Sequence, residues 1–295
     1  MPHTYRTVDV PVTGGDLRVG VWEPEGEAAH TALLIHGVTS SHLAWPFLVD
    51  RLPGVRLIAP DLRGRGASHA VRGPAGMAVH ADDMAAVLDA FGIAETTVVG
   101  HSMGAFVAVA VAHRHPDRVS RLMLVDGGLP LDVPAGVAPE QLVPMILGPV
   151  AERLSQRWPS VDAYIDDFWR GHPAFADDWS DELEAYIAYD LVPDGGALRS
   201  ATSYRIMAED TADMNTGSTL PDALSALSKP TLFLTVPRGL QNETPGLYAP
   251  EHLARLLETF PQVRHVALHD LNHYTVVMSH RGAEKLAPLL RAELG

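Results

Sequence analysis

The stretch Gly100-His101-Ser102-Met103-Gly104 places a serine between closely spaced glycines. It matches the spacing G-x-S-x-G, follows the apolar run TTVVGH and precedes an alanine- and valine-rich segment with helical character. Glycines suit a sharp turn from strand to helix, because a β-carbon there would collide with neighbouring backbone. The amide hydrogens and the dipole at the start of the next helix favour developing negative charge. The pattern therefore predicts that Ser102 is a nucleophile on a tight turn.

The elements that would position this serine alternate between short β-rich runs and longer helical patterns. Strands are predicted at YRTVDVPV, DLRVGVWEP, TALLIHG, VRLIAPD, TTVVGH, RLMLVDG, PTLFLTV and VRHVALHD, and helices at 77–91, 103–114, 249–259 and 279–293. From the third run onward the strands are mostly continuous apolar runs, which are typical of strands buried on both faces of a parallel sheet. The alternation predicts an α/β fold with an open, mostly parallel, doubly wound sheet.

Between Gly128 and Leu220 the alternation stops and aromatic residues accumulate. This stretch holds 9 of the 19 aromatics, from 5 Trp, 7 Tyr and 7 Phe in the whole chain. We therefore predict a helical cap at 128–220, over the strand ends where ligands bind in open α/β sheets, and a core domain at 1–127 and 221–295. Either the cap aromatics only pack the cap onto the core, or some also line the substrate pocket. The pocket candidates are His101, Trp158, Trp169, Trp179, Tyr186 and Tyr189.

Four motifs together resemble the α/β-hydrolase superfamily over nearly all of the chain. They are LLIHGVTSS at 33–41, DLRGRGAS at 61–68, GHSMG at 100–104 and LNHYTVV at 271–277, in the order that the superfamily uses. Ala105 stands where many members carry a further glycine. The resemblance is to esterase-like and lactonase-like serine hydrolases. It implies the α/β-hydrolase fold, with a helical cap inserted after the sixth strand.

A serine hydroxyl is a poor nucleophile at neutral pH and needs a base, usually a histidine that a carboxylate orients. Of the 15 histidines, His273 is the strongest candidate, because it follows the apolar run 263–268. The resemblance places the base on the loop after the last strand, which agrees with this position.

The acid of the triad has several candidates. Most members of the superfamily place it after the strand that here ends LFLTV, but the residues PRG at 237–239 offer no carboxylate. Asp126 closes the preceding strand, and some members resemble this arrangement, in which the acid still reaches the same histidine. We favour Asp126, although an aspartate at a strand end can also cap a turn. Glu243, on a longer loop, and Asp270 are the alternatives.

Backbone amides are expected to hold the developing oxyanion. The N–H of Met103 follows the nucleophile, and that of Val38 follows a His-Gly pair that resembles the oxyanion turn of the superfamily. The resemblance gives His36 a structural role in this turn. It gives Asp61 the role of tying down its own loop.

Composition excludes several other function classes. The net charge is −14, from 22 basic and 36 acidic residues, and no basic run marks a surface for nucleic acid. There is no cysteine, hence no disulfide and no thiolate metal site, and the H-E-x-x-H spacing is missing too. No apolar run reaches the roughly 18 residues of a membrane span, and the N-terminus does not read as a signal peptide. We expect a cytoplasmic protein without metal, cofactor, nucleic acid partner or membrane contact.

The predicted chemistry is acyl transfer to Ser102 followed by hydrolysis, with an ester or lactone of a mostly apolar small molecule as the preferred substrate. A serine in this position argues against the haloalkane dehalogenases and epoxide hydrolases of the superfamily, which use a carboxylate nucleophile. Thioester hydrolysis, carbon–carbon bond hydrolysis and cofactor-independent lyase or peroxidase-like chemistry remain open. A non-catalytic ligand receptor on the same fold is a further alternative.

Overall fold

The computed structural model describes residues 3–134, 136–137 and 139–294. Its strands are β1 (His3–Val12), β2 (Gly15–Pro24), β3 (His30–Ile35), β4 (Val55–Pro60), β5 (Thr96–His101), β6 (Val119–Val125), β7 (Leu191–Asp194), β8 (Ala197–Ser200), β9 (Thr231–Thr235) and β10 (Val263–Ala267). Within the described ranges, eight of them form one sheet in the order β1-β2-β4-β3-β5-β6-β9-β10. The eight predicted runs correspond to these eight strands.

The sheet is mostly parallel, as predicted. β1 pairs with β2 and β2 with β4 in antiparallel fashion, whereas all neighbours from β4 to β10 are parallel. In β3, Leu33 and Ile35 point into one apolar cluster, and Ala32 and Leu34 point into the other. All four side chains are fully buried. Burial on both faces explains why the runs from the third strand onward are continuously apolar.

Helices cover both faces of this sheet. They are α1 (Pro46–Val49), α2 (Met77–Ala90), α3 (Met103–Arg114), α4 (Pro139–Leu147), α5 (Pro149–Arg153), α6 (Val161–Tyr164), α7 (Asp181–Tyr189), α8 (Tyr204–Thr216), α9 (Thr219–Ser225), α10 (Pro250–Thr259) and α11 (His280–Glu293). Apolar residues of α2, α3 and α10 share one cluster with the sheet, and those of α1 and α11 share the other. The four predicted core helices are confirmed within one residue at each end, and the α/β-hydrolase fold class is confirmed with them.

The segment between β6 and β9 contains α4 to α9 and a hairpin of β7 and β8 that the sequence analysis missed. These two strands are short and mostly half-exposed, and Pro193 interrupts the first, so they lack the apolar alternation of a strand. Helix α9 spans the boundary predicted at residue 220, and its Leu220, Ala223 and Leu224 pack into the same cluster as α3. The division into core and cap stays a prediction.

Among the helices in the described ranges, none has the length and apolar character required to cross a bilayer.

Candidate active site

Ser102 lies in a strained turn between β5 and α3. Its φ and ψ are 54° and −125°, a conformation that side chains with a β-carbon rarely adopt. The turn is tight because a Cβ on Gly100 would lie 2.2 Å from the carbonyl oxygen of Gly104, and one on Gly104 would lie 2.1 Å from that of Ile35. The strand, the turn and the helix therefore meet at distances that only glycine permits, and Ser102 stays partly exposed at the apex.

His273 lies on the loop that follows β10, within hydrogen-bond distance of Ser102. The distance from its Nε2 to Ser102 Oγ is 3.0 Å. Its backbone N–H donates to the carbonyl of Arg238, at 3.0 Å, which ties this loop to the loop after β9. The imidazole is therefore placed where it can accept the proton of the serine hydroxyl.

Asp126 faces the other nitrogen of the same imidazole. Its Oδ2 lies 2.7 Å from His273 Nδ1, and the carboxylate is fully buried. The residue follows β6 directly, and its backbone N–H donates to the carbonyl of Leu234 in β9, at 2.8 Å. The structure thus brings Ser102, His273 and Asp126 into one hydrogen-bonded chain.

The two alternative acids lie elsewhere. Glu243 is exposed, and its Oε2 accepts a hydrogen bond from the backbone N–H of Gln241 in its own loop. The side chain of Asp270 is 81% exposed, and its carboxylate lies 3.9 Å from the ammonium of Lys285. In the described part of the chain, neither carboxylate is hydrogen-bonded to His273.

Val38 lies in the turn that follows β3. A Cβ on Gly37 would lie 3.1 Å from the Cβ of Ser102, so this turn passes directly beside Ser102. His36 supports it, because Nδ1 donates to the carbonyl of Gly37 at 2.7 Å and Nε2 accepts from the backbone N–H of Leu62 at 2.9 Å. Burial lowers the pKa of His36 to about 4, so the ring is neutral at neutral pH.

Met103 contributes the amide on the other side of the serine. It is the first residue of α3, where backbone N–H groups have no intrahelical acceptor. Within the described ranges, the N–H groups of Met103 and Val38 make no hydrogen bond. Two free donors therefore lie on the residues beside Ser102, and that of Met103 is at a helix N-terminus, where partial positive charge concentrates.

A cavity of about 700 Å³, its open mouth included, lies over Ser102. Of the predicted pocket residues, His101 and Tyr186 line it. His101 Nε2 donates to the carbonyl of His273 at 2.8 Å, and burial holds the pKa of His101 well below its ordinary value. His101 therefore supports the backbone of His273 as a neutral ring. Most other side chains of the wall are apolar: Val38, Phe106, Leu131, Ile146, Leu147, Val150, Met214, Leu240, Leu247 and Met278.

The other four predicted pocket residues do not line this cavity, which corrects that part of the prediction. Trp158 and Trp169 are 2% and 3% exposed and pack into the apolar cluster shared with α1 and α11, because large aromatics bury the most area at such joints. The indole N–H of Trp179 donates to Glu184 at 2.6 Å, and the hydroxyl of Tyr189 donates to Asp61 at 2.7 Å.

The structural role given to Asp61 agrees with its contacts. Asp61 accepts from the backbone N–H of His42 at 2.8 Å and from that of Ala67 at 2.9 Å, so it ties its own loop to the turn after β3.

The aliphatic residues of the cavity wall were missed by the sequence analysis. The sequence feature that indicates these wall residues is the apolar run LVPMILGPVA at 142–151, which contains no aromatic residue.

Across residues 3–134, 136–137 and 139–294, no three histidine, aspartate or glutamate side chains gather closely enough to hold a metal ion.

Known proteins resemble this chain in both sequence and fold. A family model for the alpha/beta hydrolase fold matches residues 33–159. Lipase LipV of Mycobacterium tuberculosis (strain ATCC 25618 / H37Rv) is 34% identical over 188 residues, which cover 59% of this chain and 70% of the lipase. The chain belongs to the α/β-hydrolase family. This α/β hydrolase spans less than half the length of several other curated relatives that it matches.

Solved structures extend the likeness over the whole hydrolase. A thermophilic esterase from Thermogutta terrifontis is 25% identical, with a TM-score of 0.65, and the alignment covers 99% of this chain and 100% of the esterase. The N-acyl homoserine lactonase AidH has a TM-score of 0.69 at 22% identity, with 98% of this chain and 96% of the lactonase covered. At that identity the lactonase shows the fold alone. The predicted family is thereby confirmed.

Proposed function

We propose that this α/β hydrolase is a serine hydrolase that cleaves a carboxylic ester or lactone of a mostly apolar small molecule. The observation that carries the proposal is the chain of hydrogen bonds at the base of the cavity. Ser102 Oγ lies 3.0 Å from His273 Nε2, and His273 Nδ1 lies 2.7 Å from Asp126 Oδ2. This is the arrangement that a hydroxyl needs to become a nucleophile at neutral pH.

In the first half of the reaction, Ser102 Oγ attacks the substrate carbonyl carbon and its proton passes to His273 Nε2. The carbonyl electrons move to oxygen, and the N–H groups of Val38 and Met103 are the donors for that oxyanion. When the intermediate collapses, the bond to the leaving alkoxy oxygen breaks and His273 returns the proton to it. An alcohol and an acyl-serine result.

In the second half, water takes the place of the serine hydroxyl. His273 accepts a proton from the water, the hydroxide attacks the acyl carbon and the oxyanion forms again in the same position. Collapse breaks the bond to Ser102 Oγ, which recovers its proton from His273, and the carboxylic acid leaves. Asp126 stabilises the imidazolium in both halves and holds its Nδ1–H orientation.

The wall of the cavity supports an apolar, uncharged substrate. Among the described residues that line it, none is Arg or Lys, so a carboxylate or phosphate on the substrate would find no cation there. Apolar side chains, most of them aliphatic, form about half of the wall, which suits an alkyl or acyl chain. The names of LipV and the Thermogutta esterase support ester cleavage as the reaction class.

The test follows intact mass after treatment with a fluorophosphonate, for the wild type, Ser102→Ala and His273→Ala. Exposed Ser225 offers a matched control, Ser225→Ala. We expect one adduct per chain in the wild type and the control, none in Ser102→Ala and strongly slowed labelling in His273→Ala.

Turnover of a p-nitrophenyl acyl ester series and of an acyl lactone then separates the two substrate classes. Labelling without turnover of either class would move the proposal to carbon–carbon or lyase chemistry. A folded wild type that stays unlabelled would contradict the proposal and favour a ligand receptor.

A further inference from the structure

A buried arginine contacts both Val38 and Met103, the two residues whose amides are proposed to hold the oxyanion. Arg65 is fully buried in the 61–68 loop, and its Nε donates to the carbonyl of Val38 at 2.8 Å. Its Nη2 lies 3.9 Å from the sulfur of Met103. Its Nη1 donates to the carbonyl of Arg63 at 3.0 Å and to Asp210 Oδ2 at 2.5 Å. One guanidinium therefore contacts both residues proposed as oxyanion donors.

The contact with Val38 restrains the direction of its N–H. That N–H lies in the same rigid peptide plane as the carbonyl of Gly37, which accepts from His36 Nδ1 at 2.7 Å. The next peptide plane carries the Val38 carbonyl, which accepts from Arg65 at 2.8 Å. Since Gly37 offers little conformational resistance of its own, these two hydrogen bonds set how the Val38 amide faces Ser102.

Asp210 anchors the arginine from the segment between β6 and β9. It belongs to α8 and is fully buried. Its Oδ1 accepts from the backbone N–H of Gly76 at 2.7 Å and lies 3.0 Å from His80 Nε2. Burial opposes ionisation of this carboxyl, but His80 and Arg65 outweigh burial and hold its pKa below the ordinary value. The carboxylate is thus fixed on three sides, and Arg65 is fixed with it.

We propose that Arg65, held by Asp210, is a positioning residue for the oxyanion hole, through which α8 sets the direction of the Val38 amide. The inference rests on the proposed serine hydrolase function. In this role the ion pair of Arg65 and Asp210 holds the Val38 N–H in position before the oxyanion forms. A lysine at position 65 could not reach the carbonyl and the carboxylate together, because it lacks the planar fork.

A second buried ion pair in the same loop provides a matched control. Arg63 is 1% exposed, and its Nε and Nη2 donate to the two oxygens of Asp83 at 2.8 and 2.7 Å. Its further contacts are the carbonyls of Thr13, Arg72 and Pro74. This pair has the same chemistry and burial as the first, without a contact to Val38 or Met103 within the described ranges.

The experiment compares Arg65→Lys and Asp210→Asn with Arg63→Lys and Asp83→Asn, each well below its own unfolding midpoint. We measure kcat and KM on a p-nitrophenyl ester and the fluorophosphonate labelling rate. We also measure the inhibition constant of a trifluoromethyl ketone, whose adduct with Ser102 carries an oxyanion. The Arg65 and Asp210 variants are expected to lose about 10- to 100-fold in kcat and in ketone affinity, with KM nearly unchanged. The Arg63 and Asp83 variants are expected to lose thermal stability but to keep kcat and ketone affinity.

Two outcomes would overturn the inference. One is a normal kcat and ketone affinity in Arg65→Lys and Asp210→Asn. The other is an equal loss in the Arg63 and Asp83 variants, which would mean general loosening of the loop. If Arg65→Lys does not fold, Arg65→Gln replaces it, because its amide can reach only one of the two partners. Failure of the wild type to label at Ser102 would instead reject the proposed function itself.

Discussion

The charge on Asp126 should stabilise the imidazolium that forms on His273 during the reaction, and Asp126→Asn removes that charge. The two side chains lie 2.7 Å apart and are 1% and 4% exposed. With charge centres about 4 Å apart and an effective dielectric constant of about 20, the carboxylate stabilises an imidazolium by about 4 kcal/mol. Because about 1.4 kcal/mol corresponds to a tenfold change in rate, kcat is expected to fall about 10³-fold. An asparagine N–H facing Nδ1 would also favour the tautomer in which Nε2 cannot accept the serine proton.

The assay is steady-state hydrolysis of a p-nitrophenyl ester together with the rate of fluorophosphonate labelling, with Glu243→Gln as the control. Glu243 is exposed and bonds within its own loop, so its variant is expected to keep the wild-type kcat. A kcat for Asp126→Asn within tenfold of the wild type would refute the reasoning. A large loss in Glu243→Gln would assign the acid to the longer loop, against the observed geometry.

Three further predictions follow from burial and close contact. Burial lowers the pKa of His36 from 6.5 to about 4 in the folded protein. Between these pH values the unfolded chain binds more protons than the folded protein, so lowering the pH through this range reduces the free energy of unfolding by up to about 3 kcal/mol. In His36→Asn the denaturant midpoint should vary less with pH, and an unchanged slope would contradict this. Gly104→Ala would place a Cβ 2.1 Å from the carbonyl oxygen of Ile35, so we expect a lower Tm and slower fluorophosphonate labelling of Ser102. A normal labelling rate would argue against a tight turn. Leu147→Trp should lower kcat/KM for long acyl esters relative to acetate, and an unchanged chain-length profile would place the acyl chain elsewhere.

The sheet was predictable from the sequence because burial on both faces leaves a simple signal. In β5 all six residues are buried, and in β9 all five, and the polar residues of each strand lie at its ends, so the apolar centre of each run is uninterrupted. The hairpin of β7 and β8 has the opposite character. Its residues are mostly half-exposed and its turn depends on Gly195 and Gly196 at positive φ, so neither burial nor periodicity indicates a pair of strands.

The pairing of Ser102 with His273 was easier to predict than the carboxylate that faces His273, because short motifs define the local backbone that presents the serine and the histidine. Asp126 and His273 are 147 positions apart, and their contact depends on the packing of three strand ends. Asp126 reaches the imidazole because its N–H is bonded to Leu234 of β9, while the N–H of His273 is bonded to Arg238 after the same strand. No local pattern encodes this register. The sequence therefore left three carboxylates open.

The pocket was harder still, since composition shows which residues are present but not which way they face. Aromatic side chains such as Trp158 and Trp169 cover the most area, so they are used where the segment between β6 and β9 must be held against the core. The wall of a cavity requires smaller side chains, which surround a space without filling it. Smaller aliphatic residues such as Leu147 and Val150 meet that requirement. We therefore expect the aliphatic residues of the wall to determine the choice of substrate, while the aromatic residues hold the segment between β6 and β9 in place.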